Sequence, residues 1–133
     1  MKNILVAYDG SEPARRALET GIELVKQLDG SLGIVSVIPT HPGRLGLNPW
    51  DDKTTHDRQL DDARRLAASR GVVAEILEPF GEPADAIERV AEAGRFDTIV
   101  VGSRGLNWLS RIVMGSVSDH LATHATATVV IAR

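Results

Sequence analysis

The chain has 133 residues, enough for one domain with a real core, and at 43% hydrophobic and 25% charged it has the composition of a globular protein, not a disordered one. A net charge of −3 argues against broad attraction to nucleic acid or anionic lipid, and an aromatic content of 4% leaves little surface for base stacking. With no cysteine there are neither disulfides nor thiolate metal sites, which suits a reducing compartment.

The opening, MKNILVAYDG, carries one lysine and a short apolar run that stops at Asp9. That run is too short for a signal peptide, and nowhere is there an apolar stretch long enough to span a bilayer. The expectation is a cytoplasmic protein without membrane or nucleic-acid partners. Residues 3–8 read as a strand. Ser11 and Pro13 then open a helix whose Ala14, Ala17, Leu18, Gly21, Leu24, Val25 and Leu28 share a face, and Gly30 ends it. A strand at 32–38 follows, then an irregular stretch at 39–56 that holds three of the six prolines together with Trp50, Asp51 and Asp52. Leu60, Ala63, Leu66 and Ala67 mark a second helix ending near Gly71, and 72–77 a third strand. A third helix runs from Pro83 through Ala84, Ile87 and Ala91 to Gly94, and 97–102 forms the fourth strand. A last helix near Met114 turns Val117 and Leu121 inward before a final strand at 128–132.

The strands are apolar almost continuously, as strands covered on both faces are; only the third alternates, which marks it as an edge. Strands alternating with helices predict a single α/β domain, three layers deep, with a parallel sheet and right-handed crossovers. In such doubly wound sheets ligands sit beyond the carboxyl ends of the strands, where the strand order reverses. Two strands end alike, the first in YDGS (8–11) and the fourth in VGSRG (101–105). If they are neighbours, Asp9, Gly102 and Gly105 face one crevice, and Gly115 and Ser116 open the last helix toward it.

That set suits an anion. Glycines admit close backbone approach, a helix N-terminus favours negative charge, Ser116 and Ser118 can donate to phosphate oxygens, and Arg104 and Arg111 can neutralise charge. Asp9, an acceptor, can take bonds from ribose hydroxyls. Each residue also has a plainer reading. The glycines can serve a tight turn or close helix packing, Asp9 can cap the first helix, and the arginines can be solvated loop charges. Neither GxxxxGK[ST] nor GxGxxG occurs, and Lys2, Lys26 and Lys53, the only lysines, all lie far from this segment in sequence. His120 and His124 stand four apart, the spacing of a two-histidine metal face, but no third ligand accompanies them and no metal site is expected. Trp50 and Trp108 read as loop anchors.

The spacing Gly102-x2-Gly105-x9-Gly115-Ser116 resembles the ATP-binding motif of the universal stress protein family. The similarity spans the chain, residues 1–133, through ILVAYDGSEPARRALE, GEPADAI, DTIVVGSRG, MGSVSDHLATHA and TVVIAR. It implies a five-stranded, Rossmann-like sheet of order 3-2-1-4-5. It assigns Asp9 to the ribose, the backbone at Val37 to adenine, and Gly102 to the ribose edge. Gly105, Gly115, Ser116 and Ser118 fall around the phosphates, with Val117 in the same run. Tyr8 is bulkier than what usually precedes the aspartate, and Ser36 stands where many members carry His. The resemblance further implies ATP with Mg²⁺ as ligand and a homodimer formed edge to edge through Val129, Val130 and Ile131. The function expected is nucleotide-dependent regulation in a stress response, without catalytic turnover. An interaction module with a vestigial pocket and a slow ATP hydrolase are the alternatives, the latter lacking an evident water-activating base.

Overall fold

The computed structural model describes residues 2–38, 49–103, 121 and 126–133, with 49–55 described by backbone alone. Five parallel strands form one sheet: β1 (Asn3–Ala7), β2 (Ser31–Val35), β3 (Ala74–Leu77), β4 (Thr98–Gly102) and β5 (Thr128–Ala132). Their order is β3-β2-β1-β4-β5, so β1 and β4 are neighbours and the reversal of winding falls between them. The edges are β3 and β5. Between strands lie α1 (Glu12–Leu28), α2 (Pro49–Ser69) and α3 (Pro83–Ala93), and Leu121 is helical and fully buried.

Helix α1 forms where its signals stand. Ser11 is the N-cap, its Oγ accepting from the Ala14 N–H at 3.3 Å, and Pro13 occupies the first turn. At the other end the left-handed residue is Asp29, at φ 53°, one position before the glycine expected to end the helix. Its inward stripe of Ala14, Ala17, Leu18, Gly21, Ile22 and Val25 lies on β1 and β4, where Leu18 and Ile22 each contribute about 1.5–3 kcal/mol of burial. The small residues set the depth: a side chain at Gly21 would collide with Val6. On the opposite face Phe96, between α3 and β4, packs against Gly33 and Leu5. Period-two alternation therefore sends Ile4, Val6 and Tyr8 toward α1 and Leu5 and Ala7 to the other layer.

The second helix corrects one expectation. The stretch expected to be irregular through residue 56 is helical from Pro49 onward. Proline at a first helical position followed by acidic residues is a helix-start signal, obscured here because that part of the helix has almost no apolar periodicity. Boundaries moved elsewhere too: β2 ends at Val35, with a single further bridge at Ile38, and β3 begins at Ala74, because Val72 is buried while Val73 stands 92% exposed.

At the amino end of the sheet Asp97 ties β1 to β4. Its carboxylate accepts from the backbone N–H of Lys2 at 3.0 Å and of Asn3 at 3.2 Å, and from the Thr98 hydroxyl at 2.8 Å. Burial pushes this carboxyl up, but the bonds from Lys2, Thr98 and Asn3 together outweigh it and hold the group below its usual range. A depressed folded-state value means that the contribution to stability is present above the unfolded value of 3.8 and is lost as pH falls through the folded one. Asp97→Asn should lower the melting temperature at neutral pH, and the difference from wild type should shrink in acid. Melts from neutral pH down to strongly acidic buffer test it; a difference independent of pH would remove the carboxylate's charge from the account.

Candidate functional site

The reversal between β1 and β4 marks the carboxyl edge where doubly wound sheets hold their ligands, and the strand registers say what stands beside it. In the β1–β2 ladder Ala7 is level with Val35, so Asp9 falls level with Val37. In the β1–β4 ladder Val6 is level with Val100, which puts Tyr8 level with Gly102. Of the expected site residues within the described part, Gly102 thus ends β4 beside Tyr8, and Asp9 and Val37 lie two residues past the ends of β1 and β2, at the carboxyl edge of three adjacent strands. Arg104, Gly105, Gly115, Ser116, Val117 and Ser118, together with Arg111, Trp108, His120 and His124, lie outside the described residues.

Asp9 is 5% exposed, and its Oδ1 accepts the Ser11 N–H at 2.9 Å. The helix cap is Ser11, and Asp9 acts on it indirectly, bracing the turn that carries the chain from β1 into α1. At Gly10, φ is +84°, so the chain leaves the sheet immediately after Asp9. Val37 continues one strand further. The Ser36 N–H donates to Leu77 O at 3.0 Å and the Ile38 N–H to Pro79 O at 2.8 Å, both toward β3. Alternation along a parallel ladder turns the N–H and C=O of Val37 the other way, to the β1 side. Val37, fully buried, thus turns its backbone polar groups toward the chain at Asp9, past the last paired residue of β1.

Gly102 has a reason of its own to lack a side chain. A Cβ there would lie 2.7 Å from the Pro13 carbonyl oxygen and 2.8 Å from Pro13 Cβ. The close approach visible at this glycine is therefore internal, between the end of β4 and the first turn of α1. Tyr8 packs in the core on the α1 side, 8% exposed. Burial pushes its phenol above the ordinary range; Asp62 and Asp9 add to this and Arg15 opposes it.

Two polar residues of α2 reach this edge, and neither was singled out from the sequence. His56 stands between Ser36 and Glu78, with Nδ1 3.5 Å from Ser36 Oγ and Nε2 3.4 Å from Glu78 Oε2. Gln59 lies over Gly10, its Cδ and Nε2 occupying the space 2.6 and 2.7 Å from where a Cβ would be. The available signal was phase: both fall on the stripe that continues as Leu60, Ala63 and Ala67, where apolar residues are the rule. Ser36, His56 and Glu78 have the composition of a hydrolase triad. Ser36 is only 2% exposed, however, and the 3.5 Å separation exceeds the reach for activating a nucleophile, so the trio is a polar brace. A separate surface groove of about 370 Å³ on α3 is walled by Glu82, Asp85, Glu88 and Glu92 with Arg89, a lining that repels phosphate.

The sheet order and the crevice at its reversal define a Rossmann-like α/β protein of the doubly wound class. Comparison with known proteins narrows this: the family model "Universal stress protein family" matches residues 1–133, and the chain belongs to that family. It is 32% identical to universal stress protein YxiE of Bacillus subtilis over 144 residues, covering 98% of this chain and 97% of that one. Among solved structures, one from Burkholderia pseudomallei in the same family is 29% identical with a TM-score of 0.77, covering 96% of this chain and 92% of that chain. The universal stress protein from Archaeoglobus fulgidus in complex with dAMP is 24% identical with a TM-score of 0.78, covering 100% and 98%. No helix among the described residues is long and apolar enough to cross a membrane.

Gly102→Ala should lower stability by about 1–3 kcal/mol, because a methyl group must push Pro13 off the end of β4. Denaturant unfolding measures it, and an unchanged midpoint would mean that the α1–β4 contact has slack.

Proposed function

We propose that this protein binds an adenine nucleotide, ATP with Mg²⁺, and acts as a dimeric regulator whose output is a nucleotide-dependent shape or partner, without turnover. The observation that carries the reading is the shared height of Asp9 and Val37 across the gap that β1 leaves at Gly10. The residues present fit the ligand's nucleoside half. A buried carboxylate acceptor suits ribose hydroxyls, and a strand backbone presenting both a donor and an acceptor suits the edge of adenine. The dAMP held by the Archaeoglobus fulgidus relative supports the same class of ligand. For the phosphates the reading rests on Gly105, Gly115, Ser116, Val117 and Ser118, with Arg104 as the cation. When bound, the triphosphate and its metal would supply charge and ordering; the chain's part is to seat the nucleoside and keep the phosphates against glycine-rich backbone.

The dimer is proposed at β5, which among the described strands pairs only with β4. Val129 and Val130 are half-buried there and Ile131 is 46% exposed, an apolar edge that a second copy would cover strand to strand. Ile131→Lys should shift the mass seen by light scattering from dimer to monomer; a wild-type monomer would remove this interface.

Calorimetric titration of Mg-ATP into protein stripped of nucleotide should give one site per chain, while heat of dilution alone from folded protein would mean a vestigial pocket. Gly115→Val should abolish binding with the fold kept. Asp9→Ala should weaken ATP roughly ten- to a hundredfold, the worth of a charged hydrogen bond, yet spare inorganic triphosphate. Equal losses for both ligands would take the ribose from Asp9.

A further inference from the structure

Helix α2 places two polar side chains in an inward stripe that is otherwise apolar, and each meets the neighbour of a different nucleoside-contacting residue. Gln59 fills the space over Gly10, which follows Asp9. His56 links Ser36, which precedes Val37, to Glu78 just beyond β3. The two stand three residues apart on one helix, so they are adjacent on its surface and move together. Ser36 is 2% exposed, and the His56 ring lies against it at 3.5 Å with its Nε2 lacking a hydrogen-bond partner among the described residues, so the ring acts on the strand that carries Val37 by packing beside Ser36. The atoms nearest to where a Gly10 side chain would stand all belong to Gln59, so the carboxamide packs on the turn that follows Asp9.

We propose that Gln59 and His56 are positioning residues that set the selectivity of the crevice, Gln59 at its ribose end and His56 at its base end. The inference rests on the adenine-nucleotide reading above. Neither residue needs to touch the ligand; each acts through the backbone it braces. A helix that merely stabilised the domain would, on losing either contact, weaken every ligand alike. A helix that positions two subsites produces two different signatures.

The test is a set of affinities for ATP, GTP and inorganic triphosphate, each with Mg²⁺, measured by calorimetry on full-length wild type, Gln59→Met and His56→Leu. Gln59→Met should reduce the preference for ATP over triphosphate by roughly three- to tenfold and leave the ATP-to-GTP ratio in place. His56→Leu should reduce the ATP-to-GTP ratio by a similar factor with triphosphate affinity unchanged. His56→Gln, which keeps a polar group between Ser36 and Glu78, should restore that ratio. Where a first variant does not fold, Gln59→Ser and His56→Asn read the same ratios. Ratios that stay constant while wild type still prefers ATP would overturn the role of α2 alone. A wild type that binds ATP no better than triphosphate would overturn the nucleoside reading beneath it as well.

Discussion

The whole arrangement depends on how closely α1 lies on the seam between β1 and β4. Gly21 admits the Val6 side chain from the sheet, and Gly102 admits Pro13 from the helix, so at both points one of the two surfaces gives up its side chain to let the other approach. β1, from Ile4 to Ala7, is completely buried, and a strand covered on all sides must have its backbone bonds met by neighbours. β2 supplies them on one side and β4 on the other, which fixes the reversal of winding beside the helix. In a doubly wound sheet such a reversal is where a ligand crevice forms, beyond the carboxyl ends of the strands.

At the same edge the buried polar residues have structural partners. Asp9 braces Ser11, Ser11 caps α1, and α1 presses on the seam. The residue expected to meet a ribose is thus also part of the machinery that seats the first helix. Under the proposed reading, such double use would tie ligand binding to the placement of α1, a physical route from occupancy to shape. The Ser36–His56–Glu78 brace does the corresponding work on the α2 side, joining the ends of β2 and β3 through one imidazole.

Much of this was legible from local pattern. Continuous apolar runs announced buried parallel strands, Ser11 and Pro13 announced α1, and the alternating third strand announced an edge; all stand in the structure. The motif residues Asp9, Val37 and Gly102 could be named from resemblance, and they lie at or just beyond the carboxyl ends of three adjacent strands. What was missed lay where the pattern was mixed. Pro49 and the residues after it lack apolar periodicity and so read as loop, although they are helical. His56 fell in that same stretch. Gln59 sat unremarked among charged residues, since its importance comes from Gly10, distant in sequence.

The amino-acid order alone therefore determined the elements and the edge strand, because burial on one or both faces imprints a period on each short segment, while the family was carried by the resemblance of the glycine-spaced motif. Only the tertiary structure decided what each residue faces. Gly102 turned out to yield to Pro13, Ser11 to cap the helix while Asp9 braces it, and His56 and Gln59 to stand beside Ser36 and Gly10. Those relations join residues far apart in the chain. A contact between distant segments exists once packing has set their register, and no local period encodes it.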